Sequence, residues 1–302
     1  MTGETVDPNE HATGEPCSDP WCSDKDYKPG SVIPAVVDGG EWSASFGLSW
    51  TEMMVWDQAR NGRILGQGGS GQFIRKQAGA MGLASARSEI AAYFLQQDAE
   101  WLFMVDSDMG YAPETLDRMI ASAEANNVPV LGALCFAQKI DPDQNQGPLG
   151  AVRYRIIPTI YGYVTVETTG ESGFRHVKKY QRDTFQHVAG TGAACLLVHR
   201  RALEAVGPEP FMPITDPTAG GHGTSRTFSE DLSFCIRVQG AGMMLGVDTS
   251  IKTSHYKGGI YLDEVEYAKQ QETLIQAKGH EIARNAELYM KNQLSPLGLW
   301  TP

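Results

Sequence analysis

The sequence WLFMVDSDMG, residues 101–110, decides the fold class. Its first five residues are all apolar, and an apolar run of strand length between polar residues indicates a strand that is covered on both faces. Residues 84–97 and 112–126 precede and follow it with apolar side chains at helical spacing. The region therefore predicts an α/β fold with a mixed, mainly parallel sheet flanked by helices. Residues 141–187 are richer in Thr, Tyr and Val, which predicts a small antiparallel subregion.

Two carboxylates, Asp106 and Asp108, follow this apolar run. In an extended chain, side chains two residues apart lie on the same side. Neighbouring carboxylates raise each other's pKa unless a cation lies between them, and ligands of α/β sheets bind at the carboxyl ends of strands. The pair therefore predicts a divalent metal site. The alternative is that both acids only end the strand and favour the start of the next helix.

The segment before this strand gives weaker signals. Residues 44–50 predict a strand and residues 51–61 a helix. Gly66, Gly68 and Gly71 fit the dinucleotide-binding pattern G-x-G-x-x-G, but that pattern needs a full strand before it and a helix directly after it. A flexible loop is therefore favoured over a dinucleotide site.

Two motifs in the C-terminal half carry polar groups suited to catalysis. In SEDLSF, Ser229 suits a helix N-cap, and Glu230 and Asp231 fall in the first turn. These acids either compensate the helix dipole or, since a 21-residue loop (208–228) precedes them, supply a general base that the loop covers. In SHYKG, His255 could be a structural histidine or a nitrogen ligand of a metal, and Lys257 could approach a diphosphate.

Taken in order, five segments resemble the GT-A-fold nucleotide-sugar glycosyltransferases, particularly the family 2-like enzymes of bacteria and bacteriophages. The resemblance covers residues 43–261 and rests on ASARSEIAAYFL, DAEWLFMVDSDMGYAPETL, GTGAACLLVHRRALEAVG, FSEDLSFCIRVQGAG and TSHYKG. It implies a Rossmann-like GT-A fold, a nucleotide-sugar donor with a UDP-sugar favoured, Mn²⁺ or Mg²⁺ as cofactor, and an inverting mechanism.

The resemblance also implies roles for single residues. Asp106, Ser107 and Asp108 resemble the DxD motif, in which Asp106 lies near the ribose and the metal and Asp108 binds the metal. His255 resembles the third protein ligand of the metal, and Asp231 of the Glu230-Asp231 pair resembles the catalytic base. Other residues are implied to bind the donor: Arg87, Gly190, Thr191, Gly192 and Lys257.

The composition limits the classes of partner. The 302 residues include 25 Lys and Arg against 36 Asp and Glu, and the net charge of −11 argues against a partner of duplex nucleic acid. No apolar run approaches the roughly 18 residues that span a bilayer, and the N-terminus has no signal-peptide pattern, so the expected location is cytoplasmic, meaning the host cytoplasm if a phage encodes the chain. The acceptor is expected to be a protein Ser/Thr, with a phage structural protein as one candidate, or a glycan.

The distribution of charged and apolar residues along the chain predicts three regions and a reduced state of the cysteines. Residues 1–40 predict an acidic disordered tail, 41–261 a catalytic domain and 262–302 a helical extension. Three cysteines lie in apolar segments and predict buried thiols: Cys135, Cys195 and Cys235. Cys17 and Cys22 lie near His11 but lack a second ligand pair, which disfavours a zinc site.

Three other functions remain open at this point. A haloacid-dehalogenase-type phosphohydrolase also places D-x-D after an apolar strand, but here Met109-Gly110 follows the motif and the motif lies far from the N-terminus. A nucleotidyltransferase would share the sheet and the metal but release pyrophosphate. A non-catalytic sugar-binding protein would keep the scaffold without the chemistry.

Overall fold

The computed structural model describes residues 27–80, 82–140 and 154–294. Helices and strands alternate in the N-terminal half, and short strands dominate the middle. In chain order the elements are β1 Lys28–Asp38, α1 Ala44–Ala59, β2 Ile74–Gln77, α2 Gly82–Phe94, β3 Ala99–Asp106, β4 Met109–Tyr111, α3 Thr115–Ala125, β5 Val130–Leu134, β6 Phe136–Ile140, β7 Tyr154–Pro158, β8 Ile160–Val166, β9 Glu171–His176, β10 Phe185–His187, β11 Gly190–Thr191, β12 Cys195–His199, α4 Arg200–Val206, β13 Thr215–Gly221, β14 Thr224–Thr227, α5 Glu230–Gly240, β15 Leu245–Lys257, β16 Ile260–Leu262 and α6 Glu264–Leu294.

The central sheet has the strand order β10-β15-β5-β12-β3-β1-β2, with β4 and β16 pairing with β15. Strand β1 pairs in parallel with β2 and β3, and β15 pairs in parallel with β5. Strand β12 is antiparallel to β3 and β5, and β10 is antiparallel to β15. Five of these seven strands therefore point the same way, which confirms the predicted mixed, mainly parallel sheet.

The apolar run of residues 101–105 lies in β3, in the interior of this sheet. Its side chains alternate between two cores. Trp101, Phe103 and Val105 pack with residues of α1 and α3, whereas Leu102 and Met104 pack with residues of α2, α4 and α5. Because helices cover both faces, every residue of the run is buried, and this explains why the run lacks polar positions.

Small antiparallel sheets flank the main one, as the composition of residues 141–187 predicts. They contain β8, β9 and β11, then β6 and β7, then β13 and β14. The last of these is a hairpin inside residues 208–228, so the predicted 21-residue loop contains two paired strands over 215–227. Residues 141–153 lie outside the described part of the chain.

Two predicted boundaries are wrong. Residues 44–50 belong to α1 rather than to a strand, because Ser43 accepts a hydrogen bond from Phe46 N and so starts a helix. Residues 28–38 form β1 rather than part of a tail; Pro34 fits this strand because β2 begins pairing only at Ala35. Strand β15 is continuous from Leu245 to Lys257, and its register against β5 shifts between Asp248 and Lys252.

The glycine-rich segment after α1 is a tight loop. It leads into β2 and not into a helix, which agrees with the loop interpretation. A Cβ at Gly66 would lie 2.2 Å from the carbonyl carbon of Asn61, and one at Gly69 would lie 2.4 Å from Ile64 O. Backbone crowding therefore explains Gly66 and Gly69, and the positive φ of 67° explains Gly71.

The remaining outcomes concern the termini and the cysteines. Cys135, Cys195 and Cys235 are buried free thiols, as predicted. Cys17, Cys22 and His11 lie outside the described residues, as does the rest of segment 1–26. Helix α6 begins inside the predicted extension 262–302. None of the described helices is both long and apolar enough to cross a membrane.

Candidate functional site

The candidate site lies at the carboxyl edge of β1 and β3. Strand β3 ends at Asp106, Ser107 and Asp108 form a turn, and β4 begins at Met109. Strand β15 pairs with β4 so that His255 lies opposite Met109, and Tyr256 N donates to Asp108 O at 2.8 Å. This register brings the SHYKG motif against Asp108, although 147 positions separate Asp108 from His255.

Asp108 is the most strongly perturbed acid of the site. Its Oδ2 accepts from Lys257 Nζ at 2.5 Å, and its Oδ1 lies 3.2 Å from His255 Nε2. Burial by itself raises the pKa of Asp108, but His255 and Lys257 outweigh it and lower the pKa to about 2. Asp108 is therefore ionised throughout the physiological range.

His255 is arranged like a metal-binding histidine. Its Nδ1 lies 2.9 Å from Phe136 O, and in the tautomer that donates its proton there, Nε2 carries a lone pair toward Asp108 Oδ1. With a proton on Nε2 instead, His255 donates to Asp108, which is the contact that lowers the pKa of that carboxylate. Two buried acceptors 3.2 Å apart repel each other unless a cation or proton lies between them. The donor set therefore fits a divalent cation.

Asp106 has different partners from Asp108. Arg87 Nη2 donates to Asp106 Oδ1 at 2.7 Å, and Arg87 Nη1 donates to Glu230 Oε1 at 2.6 Å. Burial lowers the pKa of Arg87, but the two carboxylates outweigh it and the net shift is upward. Among the described residues no three His, Cys, Asp or Glu side chains are grouped closely enough to hold a metal. The structure thus does not join Asp106 to Asp108 and His255, because the extended strand ends at Asp106.

Ser107 attaches the neighbouring loop to this turn. Its Oγ donates to Glu41 O at 2.9 Å, and its carbonyl accepts from Ser43 N at 2.9 Å. Asp38, buried at the end of β1, accepts from Trp42 Nε1 at 3.2 Å and from Arg75 Nε at 2.5 Å. These contacts fix Trp42 beside the carboxylate turn.

A cavity of about 610 Å³ opens beside Asp108. Its volume falls in the range of roughly 300–1,000 Å³ that is usual for small-molecule sites. Three of its walls are aromatic and half exposed: Trp42, Tyr256 and Tyr261. Its lining also includes Glu41, Ser107 and Asp108.

Asp231 lies at the start of α5. Ser229, in extended backbone, precedes the helix as predicted, but its side chain donates to Asp231 Oδ1 instead of capping the helix. Asp231 Oδ1 also accepts from Leu232 N at 2.8 Å. Burial raises the pKa of Asp231 and outweighs the opposing hydrogen bond from Ser229; the charge of Glu230 adds to the rise, while Leu232 and Arg87 oppose it weakly. A carboxylate with a raised pKa is suited to accept a proton.

No protein-family model matches this sequence, and no curated protein matches it significantly. The solved structures that are similar in fold include the two described next. "Crystal Structure of A197 from STIV" is 11% identical over 77% of this chain and 90% of that chain, with a TM-score of 0.45. "Crystal structure of GalNAc-T7 with UDP, GalNAc and Mn2+" is 11% identical over 76% of this chain, with a TM-score of 0.46, and this chain spans only 44% of that one. Similarity at this level assigns no family, ligand or reaction to the chain.

The segment Gly190-Thr191-Gly192 packs inside the protein. A Cβ at Gly190 would lie 2.9 Å from both Leu232 Cδ2 and Phe174 Cε1, and one at Gly192 would lie 3.0 Å from Thr159 Cβ. Thr191 is buried. None of the three is among the residues that line the cavity beside Asp108. Packing therefore explains the two glycines, whereas the resemblance implies that their backbone approaches a donor sugar.

The aromatic walls of the cavity were missed by the sequence interpretation. Trp42 lies in a loop after Gly39-Gly40, and Tyr256 and Tyr261 flank the turn between β15 and β16. Tyr256 stands between the two residues of SHYKG that the motif singles out, His255 and Lys257. An aromatic residue inside this otherwise polar motif is the sequence signal that could have indicated that Tyr256 lines a binding site.

Proposed function

We propose that the chain is a metal-dependent GT-A glycosyltransferase that moves a sugar from a nucleotide diphosphate donor to an acceptor hydroxyl. The observation that carries the proposal is the pair of buried atoms Asp108 Oδ1 and His255 Nε2, which face each other at 3.2 Å. Asp108 also lines the cavity at the carboxyl edge of the sheet, where ligands of α/β folds bind.

Asp108 and His255 would hold the metal. Two protein ligands leave several coordination positions for diphosphate oxygens and water, as is usual for Mg²⁺ in phosphate-binding sites, and Mn²⁺ accepts an imidazole as well. When bound, the ion offsets the negative charge that builds up on the leaving diphosphate. Lys257, whose side chain is 46% exposed, adds a second positive charge beside Asp108.

The cavity beside Asp108 would hold the donor. Its aromatic walls offer flat apolar surfaces for the base or the sugar, and its lining includes Asp108, which pairs with Lys257. A UDP-sugar is the favoured donor because the resemblance of the motifs favours it.

Asp231 would act as the general base. It takes the proton of the acceptor hydroxyl as that oxygen attacks the anomeric carbon from the face opposite the leaving group, which gives inversion. Such proton transfer typically contributes about 10²–10⁴-fold to the rate. Glu230 is engaged by Arg87 and therefore holds the first turn of α5 in place rather than competing for the proton.

The hydrogen bond from Arg87 to Asp106 favours the glycosyltransferase over the phosphohydrolase alternative. The phosphohydrolase needs Asp106 as a free nucleophile, whereas here Asp106 Oδ1 accepts a charge-assisted hydrogen bond from the buried Arg87. A carboxylate stabilised in this way is a weaker nucleophile.

Calorimetric titration with UDP and Mn²⁺ tests the proposal. We expect metal-dependent UDP binding by the wild-type chain that Asp108→Ala and His255→Ala each weaken by at least about tenfold, since each removes a metal ligand. Asp117→Ala is the control, because Asp117 pairs with Arg63 and Trp56 away from the cavity. Unchanged UDP–Mn²⁺ binding by Asp108→Ala would contradict the metal assignment.

A further inference from the structure

One face of the β8–β9 ribbon carries four aromatic side chains. Tyr161 pairs with His176 and Tyr163 pairs with Phe174 across the two strands, so the four rings share one face. The ring centroids lie 4.6 Å apart for Tyr161 and His176 and 5.2 Å apart for Tyr163 and Phe174. We call these four residues the aromatic face.

The aromatic face lies next to the start of α5. Gly190 of β11 pairs with Tyr161, and the space where its Cβ would be is filled by Phe174 from one side and Leu232 from the other. Leu232 directly follows Asp231 in the chain, so this packing places the aromatic face beside the proposed base. The negative charges of Asp231 and Glu230 also raise the pKa of Tyr161, in addition to the larger effect of its burial.

The aromatic face is partly open to solvent and has unused polar groups. Tyr163 is 46% exposed, and Tyr161, Phe174 and His176 are half-buried. Within residues 154–294, Tyr161 Oη and Tyr163 Oη form no hydrogen bond. His176 Nδ1 lies 3.3 Å from Pro158 O, which leaves Nε2 as an acceptor. Burial and the charges of Lys139 and Lys178 lower the pKa of His176 to about 4, so the ring is neutral at pH 7.

We propose that the aromatic face binds a sugar ring, so that the acceptor is a carbohydrate hydroxyl presented to Asp231. A pyranose has apolar C–H faces and a rim of hydroxyl groups. The neutral rings suit the apolar C–H faces of the sugar, and the two phenol groups and the imidazole Nε2 suit its hydroxyl groups. A nucleoside base would also stack on aromatic rings, so the test below includes thymidine as a comparison ligand. This inference rests on the proposed function, since it assigns the aromatic face to the acceptor.

Saturation-transfer difference NMR on the full chain tests the inference without donor or metal. The probes are the methyl glycosides of glucose, galactose, mannose and N-acetylglucosamine at millimolar concentration, with thymidine and a Ser-containing tripeptide as comparison ligands. We expect at least one glycoside to bind, and Tyr163→Ala to weaken that binding about three- to tenfold, the size of one aromatic contact. Tyr163→Phe, which keeps the ring, should lose less.

Tyr93→Ala is the matched control, because Tyr93 on α2 is 47% exposed and lies outside the aromatic face. It should bind the glycoside as the wild type does. The inference is overturned if no glycoside binds, if Tyr163→Ala binds as well as wild type, or if thymidine or the peptide alone shows binding that depends on Tyr163. Titration of the wild-type chain with UDP and Mn²⁺ keeps the two proposals apart: UDP binding without any glycoside binding would contradict only the carbohydrate acceptor.

Discussion

Arg87 and Glu230 form an ion pair of 2.6 Å although 143 positions separate them in the sequence. The second guanidinium nitrogen of Arg87 holds Asp106 at 2.7 Å. The side chain of Arg87 is 3% exposed, so this double pair replaces its contact with water. One buried cation therefore connects the end of β3 to the first turn of α5, where the proposed base lies.

Replacing Arg87 should destabilise the fold strongly. In Arg87→Met, Asp106 and Glu230 would keep their charges in a partly buried setting without a counterion. Breaking a buried ion pair in this way typically costs about 3–5 kcal/mol. We expect a fall of this order in the free energy of unfolding, measured by urea denaturation followed by circular dichroism.

Two variants control this measurement. Arg175→Ala removes an exposed arginine that pairs with Glu171 at the surface and should change stability little. Adding Asp106→Asn and Glu230→Gln to Arg87→Met removes the uncompensated charges and should recover part of the loss. If Arg87→Met were as stable as Arg175→Ala, the buried double pair would have no role in holding α5.

The fold class could be predicted because a strand that is buried on both faces is recognisable as an unbroken apolar run in the sequence. A strand such as β3, covered by helices on each side, has no polar positions, and the amphipathic helices around it have helical spacing. Boundaries were less predictable. Residues 44–50 alternate enough to suggest a strand, but the cap formed by Ser43 and the burial of Phe46, Ser49 and Met53 on one side make them the first turns of α1.

The site could be predicted only in part, because its partners are chosen by tertiary packing. The acids of DSD and SEDLSF can be recognised from the local sequence. Their partners cannot, because the turn after Asp106 places Asp106 against Arg87 and Asp108 against His255. Trp42, Tyr161 and Tyr261 lie in loops or short strands that carry no motif, and only the folded chain brings them to the cavity or to α5.

Gly190 should tolerate no side chain. In Gly190→Ala the new Cβ would lie 2.9 Å from atoms of Leu232 and Phe174, and overpacking of this kind typically costs about 1–3 kcal/mol. We expect a lower thermal midpoint, because the side chains of Leu232 and Phe174 must both shift to admit the new Cβ. Gly162→Ala is the control, since its Cβ would meet Val177 at an ordinary 3.9 Å. Equal midpoints for the two variants would show that this packing is not tight.

The rate of sugar transfer should fall on the acid side at a higher pH than an ordinary aspartate would give. Asp231 must be ionised to accept the proton, and burial, with the charge of Glu230, raises its pKa above 3.8. Glu230→Gln removes a negative charge that raises the pKa of Asp231, and it leaves the positive charge of Arg87 less compensated. Both effects lower the pKa of Asp231, so the acid limb of kcat/KM should move to lower pH. Asp216→Asn, in the β13–β14 hairpin, should leave the limb in place. Asp231→Asn should bind UDP–Mn²⁺ normally and lose transfer, and an acid limb that persists unchanged in that variant would assign the titration to another group.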